Sequence, residues 1–448
     1  MKKYDNLRCP KGTIDLSPHE MRIKNQLIDI CKTIFERHGG QPIFTPVFEL
    51  RENLYNQYGE DEKLIFNLED QKGDICSLRY DLTVPFARFI SKHKISRMRK
   101  WQIGEVYRRD NPSKGRLREF TQADFDITGT NLPMVYDSEI LKMVHSILET
   151  ITTTFSLKGF MIKINDRRIV DGYLETCGIF GDKKATICST IDKFDKLTLI
   201  ELKIEFKAKG LTDDQINMLF NLFTITRTRN NEAIIEYLES IYDKIITIDS
   251  MNNFKTACEE LKVLFRYLSI MNVYVTFDLT LVRGLSYYTG LIFEGTLCHE
   301  EIGSVTGGGR YDNLCHTISN FNTPCVGFSI GISRLLTIIL KKQEYSQNYC
   351  SLGNKDVLVG SLYGLLIEER MEIFNEIIKY YSCEIMYGTK MIFNKQVEYA
   401  KKAKYKLIVF TGINEKKTNT LVIYVIETQH RIAIDKKSLI TELNKLLK

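Results

Sequence analysis

Four segments of the chain bring arginine, carboxylate and aromatic residues together at short spacing. They cover residues 78–85, 107–120, 281–290 and 327–334. Arginine holds phosphate through a planar pair of N–H donors and keeps its charge at physiological pH. Fixed cations of this kind stabilise the charge that develops when an anion attacks a phosphate group. A single arginine on a strand is usually a surface charge, so the prediction of phosphate chemistry depends on the four segments together.

The segment at residues 119–128 alternates between two kinds of side chain through most of its length. Successive residues of a strand point to opposite faces of the sheet, so every second residue shares a face. One face carries Phe120, Gln122, Asp124 and Asp126, and the other carries Ala123, Phe125 and Ile127. The apolar face is predicted to be core. The polar face is either the floor of a binding site or a solvent-exposed surface, and the alternation alone leaves both open.

The elements that would position these segments are an amphipathic helix, a long hairpin and further strands. Ser17 and Glu20 form a capping box at the helix start, and a Gly-Gly pair at 39–40 ends the helix. Strands are predicted at residues 75–80, 101–109, 119–128, 273–279 and 287–297, the second and third being joined by a turn at 110–115. A glycine-rich run at 303–310 is more typical of a turn than of a phosphate-binding loop, and residues 326–340 are predicted as a strand followed by a helix.

Helical patterns dominate residues 165–271, which are predicted to be an insertion between two halves of a sheet domain. Residues 341–355 are polar and are predicted to be a linker. Beyond them, strand and helix patterns alternate through residues 356–448, as is typical of a small α/β domain. The chain therefore divides into a large domain over residues 1–340 and a small C-terminal one.

Length and charge set broad limits on the class of protein. A chain of 448 residues, 44% of them hydrophobic, is long enough for two to four domains with buried cores. The net charge of +6 is a mild basic bias. It is compatible with a polyanionic partner such as nucleic acid, but an ordinary solvated surface would explain it equally well.

The cysteine and histidine patterns argue against disulfide and metal sites. There are eleven cysteines, an odd number, and no two are spaced as C-x-x-C. The seven histidines form no H-x-x-x-H pair, so no metal-binding residues are predicted. The N-terminal ten residues lack the apolar stretch of a secretion signal, and no segment has the roughly 20 apolar residues of a membrane span. These patterns predict a soluble, cytoplasmic protein without a membrane partner.

Three short motifs carry a resemblance to a known class of enzymes. Residues 108–120 contain Arg-x-acid followed by Arg-x-x-x-Phe, which resembles the second signature of class II aminoacyl-tRNA synthetases. Residues 331–334 end in arginine and resemble the third, and Pro46 matches the first, which lies at the dimer interface in that class. Residues 283–290 match R-G-L-x-Y-Y-T-G, which belongs to the histidine branch. The chain is thus similar, over nearly its whole length, to histidyl-tRNA synthetases of the eukaryotic type.

The resemblance implies an α/β (α+β) fold. Residues 1–340 would form a class II catalytic domain with an antiparallel sheet, and residues 165–271 would be the helical insertion within it. The linker at 341–355 would lead to an anticodon-binding domain at 356–448, an α/β unit with a mixed sheet. Lysines there, Lys395, Lys401, Lys402, Lys404, Lys416 and Lys417, would face tRNA or merely solvent.

The resemblance also implies the reaction. L-histidine would be activated by ATP to histidyl-adenylate with release of diphosphate, and then transferred to the 3′ end of tRNA(His), giving AMP. ATP would act as a substrate with Mg2+, and no tightly bound cofactor is implied. The expected partners are histidine, ATP, tRNA(His) and a second copy of the chain, and the expected compartment is the cytoplasm.

Roles for individual residues follow from the same resemblance. Arg108 and Arg283 would be catalytic cations at the α-phosphate, Arg108 also contacting the substrate carboxylate. Arg116 and Arg334 would hold the γ-phosphate.

The remaining roles concern the two small substrates. Asp110 would reach the edge of adenine and Phe120 would stack on its ring, so the implied ATP-binding residues are Arg108, Asp110, Arg116, Phe120, Arg283 and Arg334. The implied histidine-binding residues are Asp81, Leu82, Thr83, Arg108, Gln122, Asp126, Arg283, Tyr287 and Tyr288.

Two positions depart from the family pattern. The family usually has aspartate where Ser286 stands and glutamate where Ser333 precedes Arg334. Each change removes an acid near arginines and ATP. The departures put in doubt the organisation of the pocket and the handling of Mg2+, although neither residue has a direct role in the reaction as the resemblance implies it.

Two other functions compete with that of a histidyl-tRNA synthetase. A non-catalytic regulatory paralogue typically lacks the anticodon-binding domain and loses phosphate-binding arginines, whereas residues 356–448 and the four arginines Arg108, Arg116, Arg283 and Arg334 are present here. A synthetase for proline or threonine would not carry the segment at 283–290.

Overall fold

The chain forms two compact units in a computed structural model, Met1–Glu344 and Tyr345–Lys448. The structure describes residues 7–55, 57–69, 72–113, 115–181, 183–194, 196–245, 247–282, 286–300, 302–343, 355–386, 388 and 390–447. The boundary between the units falls within the segment predicted as a linker, of which residues 344–354 lie outside the described part.

The larger unit is organised around one broad sheet. Its strands are β1 (Gln41–Pro42), β2 (Phe48–Leu50), β3 (Cys76–Leu78), β4 (Met98–Tyr107), β5 (Glu119–Thr128), β6 (Phe160–Asp166), β7 (Thr276–Phe277), β8 (Leu291–Leu297), β9 (Ser304–Arg310) and β10 (Cys325–Gly331). Within the described residues, eight of them pair in the order β1-β4-β5-β10-β9-β8-β6-β7, and β2 pairs with β3 separately. Neighbouring strands in the run β4-β5-β10-β9-β8-β6 of this sheet are antiparallel. The edge pairs β1–β4 and β6–β7 are parallel.

Helices cover one face of this sheet. The helices of the larger unit are α1 (Pro18–Arg37), α2 (Arg51–Leu54), α3 (Thr83–His93), α4 (Val135–Thr154), α5 (Arg167–Thr176), α6 (Lys183–Ile191), α7 (Leu199–Ala208), α8 (Asp213–Thr228), α9 (Asn231–Glu239), α10 (Ile248–Ile270), α11 (Leu314–Ser319) and α12 (Ile332–Gln343). The predicted capping box is present at the start of α1. Helices α1, α4 and α12 pack together over Ala123, Phe125 and Ile127, which are buried in the main core. The opposite face of the sheet is thereby left for polar side chains.

The insertion consists of α5 to α10, between β6 and β7, from Arg167 to Ile270. Its helices bury large aromatic side chains, among them Tyr173, Phe206, Phe223 and Phe254. These side chains belong to the same continuous core as the sheet. The insertion is therefore packed onto the larger unit instead of forming a separate core.

Strand β7 is the last strand of the sheet, and a side chain of the insertion lies along it. Asn231, the first residue of α9, donates from Nδ2 to the carbonyl oxygen of Val275 at 2.9 Å. Its Oδ1 accepts from the N–H of Phe277, also at 2.9 Å. The amide thus satisfies one acceptor and one donor of the edge strand, as a neighbouring strand would.

The smaller unit contains β11 (Lys355–Ser361), β12 (Cys383–Ile385), β13 (Tyr405–Thr411), β14 (Thr420–Val425) and β15 (Arg431–Asp435), with helices α13 (Ile367–Ile377), α14 (Phe393–Lys402), α15 (Ile413–Thr418) and α16 (Leu439–Leu446). In its described part these strands form one sheet of order β12-β11-β13-β14-β15. The pairs β11–β12 and β11–β13 are parallel, and the other two are antiparallel.

The predicted fold class is confirmed: an antiparallel catalytic-type sheet, a helical insertion and a mixed C-terminal sheet are all present. The glycine-rich run at 303–310 forms strand β9 and is not a turn. Two of its glycines, Gly308 and Gly309, lie where neighbouring atoms leave no room, since a Cβ on Gly308 would come 2.3 Å from the carbonyl oxygen of Gly327 and 2.5 Å from the ring of Phe293. Among the described residues, no helix is long and apolar enough to cross a membrane.

Candidate active site

The floor of the site is the uncovered face of the sheet. Across β4, β5, β10 and β9 the register aligns Lys100, Asp126, Gly327 and Gly309 in one row. The next row on the same face holds Gln102, Asp124, Ser329 and Gly307. The carboxylates of Asp124 and Asp126 are buried, and Gly327 packs closely against that of Asp126. Of the two alternatives left by the alternation in β5, the structure therefore supports a site floor over a solvent-exposed surface.

Asp81 anchors the entrance of α3. Its Oδ1 accepts the main-chain N–H groups of Thr83 and Val84, each at 3.1 Å, and the hydroxyl of Tyr58 at 3.1 Å. Its Oδ2 accepts the hydroxyl of Tyr287 at 3.2 Å. Burial raises the pKa of Asp81, although the hydrogen bond from Val84 and the nearby Arg108 oppose the rise. The carboxylate is thus held in one orientation by four donors.

Tyrosine rings form the wall above the floor. The ring centroids of Tyr58 and Tyr80 lie 4.5 Å apart, and those of Tyr287 and Tyr288 lie 5.0 Å apart. Tyr311 lies 5.8 Å from Tyr287, and its hydroxyl donates to Oδ1 of Asp126. Burial raises the pKa of Tyr58, Tyr287 and Tyr311 well above the usual value, so these groups stay neutral hydroxyl donors.

Arg108 lies between the wall and the hairpin. Its guanidinium is 4.1 Å from the ring centroid of Tyr80 and 5.2 Å from that of Phe120, and its Nε donates to the Tyr80 carbonyl at 3.1 Å. Two aromatic faces and a carbonyl restrict the orientation of the guanidinium. A cation that is fixed in this way costs little reorganisation when an anion binds.

The tip of the hairpin brings two more predicted phosphate ligands together. Arg334 donates from Nε to the carbonyl of Gly115 at 3.4 Å and also binds the carbonyl of Ser304. Arg116, next to Gly115, forms an ion pair with Asp110 at 2.9 Å and is about half exposed. In this structure, Asp110 is therefore engaged by Arg116 and does not stand open to an adenine ring.

Arg283, with residues 284 and 285, lies outside the described part of the chain. The backbone that leads to it is held by buried donors: Asn165 binds the carbonyl of Leu281 at 2.9 Å, and Tyr173 of α5 binds that of Leu279 at 3.1 Å. Leu82, a predicted histidine ligand, is fully buried, and its main-chain carbonyl accepts the N–H of Phe86 at 3.3 Å.

Three acceptors on the floor lack hydrogen bonds within the described residues. They are Oδ1 of Asp124, Oδ2 of Asp126 and Oε1 of Gln122, all on buried side chains. Burial raises the pKa of Asp124 to about 7, with Lys100 lowering it and Asp126 raising it. A buried acceptor without a partner is costly, so the floor suits a ligand that carries several N–H donors.

Four residues of the site were missed by the sequence analysis: Lys100, Tyr58, Ser329 and Tyr311. Lys100 had a signal that could have found it, because it lies one residue before the predicted strand at 101–109, and extending that strand places it opposite Asp126. The other three come from separate segments. Their contacts with Asp81, Gln122 and Asp126 depend on the tertiary fold.

The two departures from the family pattern are accommodated locally. Ser333 accepts the main-chain N–H of Thr121 through its Oγ at 2.9 Å, and Thr121 donates in turn to Glu105 at 2.7 Å. Ser286 donates to the carbonyl of Gln57 at 2.6 Å. Each serine satisfies a main-chain group next to the site. Within the described residues, no three histidine, cysteine, aspartate or glutamate side chains come together as a metal site.

Comparisons with known proteins converge on one family. The sequence model of the family described as histidyl-tRNA synthetase matches residues 12–335. The chain is 39% identical to a protein of Encephalitozoon cuniculi named probable histidine–tRNA ligase, cytoplasmic, over 92% of both chains. It is 38% identical to the cytoplasmic histidine–tRNA ligase of Dictyostelium discoideum, covering 98% of this chain and 91% of that one. A crystal structure of histidyl-tRNA synthetase from Nostoc shares the fold, with a TM-score of 0.77, 24% identity and coverage of 98% and 99%.

Proposed function

The chain belongs to the histidyl-tRNA synthetase family, and we infer that it is a histidine–tRNA ligase. It activates L-histidine with ATP to histidyl-adenylate, releases diphosphate and transfers the histidyl group to the 3′ end of tRNA(His). The observation that carries this function is the match over residues 12–335 together with a buried floor that presents unpaired acceptors under a tyrosine wall.

Histidine carries N–H donors at both of its ends. Its α-ammonium and its ring N–H each need an acceptor in a site that excludes water. Asp81 and Thr83 at the start of α3, and Gln122 and Asp126 on β5, supply these acceptors in the proposal. Support comes from the open Oε1 of Gln122 and from the four donors that already hold Asp81 in place.

The histidine carboxylate then attacks the α-phosphate of ATP. Arg108 is restrained beside the floor and serves as one cation at the reacting centre, with Arg283 as the second. Arg116 and Arg334 take the γ-phosphate that leaves with diphosphate. Stabilisation of the charge that develops during attack acts on the transition state more than on the ground state.

ATP binding requires the ion pair of Arg116 and Asp110 to separate. Half-exposed ion pairs are worth about 0–1 kcal/mol, so the separation is a small cost against phosphate binding. Arg116 is then free for the γ-phosphate, and Asp110 for the adenine edge beside Phe120. ATP enters as its Mg2+ complex, so the metal arrives with the substrate.

The non-catalytic alternative has no feature in its favour. The phosphate-binding arginines remain in the sequence, and the C-terminal unit that such paralogues lack is folded here around its own core. We propose that this unit binds the anticodon region of tRNA. The names of the two curated relatives support a cytoplasmic location.

We also propose that the enzyme is a homodimer. Pro46 matches the interface signature of the class, and the rings on either side of it are left in solvent. Phe44 is 77% exposed and Phe48 is 58% exposed. Large apolar side chains in such positions favour burial against a second copy of the chain.

Exchange of labelled diphosphate into ATP tests the function. The assay is run with each amino acid in turn, and exchange is expected with histidine alone. Arg108→Ala should abolish it, which would exclude a contaminating enzyme, whereas Arg109→Ala, at the exposed neighbouring position, should retain it. Exchange with proline or threonine, and none with histidine, would overturn the assignment.

A further inference from the structure

The floor of the site contains a buried cation that the reaction as described leaves unused. Lys100 of β4 has no solvent exposure, and its Nζ lies 2.6 Å from Oδ2 of Asp126, the residue directly opposite on β5. We propose that Lys100 is a positioning residue for histidine recognition, which keeps the carboxylates of Asp124 and Asp126 available as acceptors for the substrate. The proposal rests on the function given above.

A purely space-filling role would not need an ammonium group. Removing a charge from water costs several kcal/mol unless a partner compensates it. The Lys100 ammonium has the carboxylate of Asp126 as that partner and also lies 4.9 Å from the ring centroid of Phe86. A methionine or leucine would fill the same volume at a lower desolvation cost.

The geometry of the pair explains how Lys100 can support Asp126 without occupying it. The two atoms are close, but their alignment is not that of a hydrogen bond, and neither Nζ nor Oδ2 has another hydrogen-bond partner in the described part of the chain. Tyr311 donates to the other oxygen, Oδ1. Asp126 is therefore held in place by the charge of Lys100 and the hydroxyl of Tyr311. Its Oδ2 can still accept a hydrogen bond from the substrate.

The same cation acts on Asp124, two residues away on the same face. Burial raises the pKa of Asp124 to about 7, and Lys100 is the main nearby charge that lowers it. The other charged or titratable groups that face this carboxyl are Asp126, Asp81, Arg79 and Tyr288. Without Lys100, Asp124 would be protonated at neutral pH and would present a donor where the substrate needs an acceptor.

This reasoning predicts a specific kinetic pattern for Lys100→Met. An opposite charge at this range shifts a carboxyl pKa by about 1–3 units, so the acid limb of kcat/KM for histidine should move up by about one pH unit or more. At pH 7, where Asp124 of the parent is about half ionised, the KM for histidine should rise about fivefold for the first unit of that shift and about tenfold for each further unit. The KM for ATP should change less than twofold. Lys92→Met, at an exposed position on α3, should match the parent protein.

Two further variants keep the proposal testable if Lys100→Met folds poorly. Lys100→Arg retains a cation and should keep the acid limb close to that of the parent. The double variant Lys100→Met/Asp124→Asn removes one charge of each sign. It should fold and bind histidine. Its histidine binding should no longer show the fall at low pH that protonation of Asp124 causes in the parent.

Diphosphate exchange from pH 6 to 9 and calorimetric titration with histidine are the measurements. The proposal is overturned if Lys100→Met, or the double variant, keeps the parent KM and pH profile. It is also overturned if histidine and ATP binding weaken equally alongside a lower melting temperature, because that is the pattern of a structural lysine. Failure of the parent protein to bind histidine would refute the proposed function instead, so the two failures are distinguishable.

Discussion

Replacing Gly327 by alanine should displace Asp126 and so weaken histidine recognition. A Cβ at this position would lie 1.9 Å from Oδ1 of Asp126 and 2.8 Å from the carbonyl oxygen of Phe125. Ordinary contact begins at 3.4 Å, so the carboxylate would have to move by about 1.5 Å. That movement separates Asp126 from both the Tyr311 hydroxyl and the Lys100 ammonium. Misplacement of a binding group by about 1 Å can cost about 100-fold in rate, so kcat/KM for histidine should fall by about that factor.

The same substitution should cost about 1–3 kcal/mol of unfolding free energy, since strands on both sides restrict relaxation. Diphosphate exchange and urea denaturation measure the two effects. Gly307→Ala is the matched stability control, because a Cβ there meets just the carbonyl oxygen of Phe293 among the described residues, at 3.7 Å. Its urea midpoint should equal that of the parent. A stable Gly327→Ala protein with parental kcat/KM for histidine would refute the position assigned to Asp126.

Four other outcomes follow from the structure and the proposed reaction. Burial raises the pKa of Asp124 to about 7, above its unfolded value of about 4, so native stability falls as pH rises between those values. Asp124→Asn should remove this fall, and its advantage in unfolding free energy over the parent should therefore be larger at pH 8 than at pH 4; an equal difference at both would contradict the assignment. Arg283→Ala should remain folded and lose about 100- to 1000-fold in single-turnover adenylation, and formation of adenylate at the parental rate would end its proposed role. A chain that stops after residue 343 should keep much of its diphosphate exchange and lose most of its salt-sensitive tRNA charging, whereas equal loss of both would mean that the second unit is needed for folding. Sedimentation should give about twice the 52.0 kDa chain mass, and Phe48→Glu should shift the protein towards monomer; a parent protein that is active as a monomer would disprove the dimer.

Strand alternation and local capping signals were sufficient for much of the fold. The bounds of β5 match the prediction residue for residue, and polar and apolar side chains alternate through most of the strand, from Gln122 to Thr128. The start of the final helix shows the limit of such signals. The sequence predicts this helix over residues 436–447, but residues Lys436–Ser438 form a 3-10 turn and α16 begins at Leu439.

The site itself could be predicted less completely, for a physical reason. Periodicity along one strand tells which residues share a face but says nothing about the strand placed beside it. The pairing of β5 with β10 places Gly327 against Asp126, and this pairing joins residues about 200 positions apart in the chain. The donation from Tyr311 to Asp126 has the same origin. No local pattern encodes such contacts. Of the four missed residues, Lys100 is the one that the strand pairing of the predicted hairpin could have revealed.

The amide of Asn231 along β7 also bears on how the chain avoids aggregation. An uncovered strand at the margin of a sheet is a template on which another polypeptide can add. Here that template is occupied by a side chain from α9, a helix of the insertion. The margin is open whenever α9 is not packed against β7. The helical insertion thus protects the edge of its own sheet from pairing with another chain. Loss of the Asn231 amide should first lower the refolding yield at high protein concentration, before any loss of catalysis in the folded enzyme.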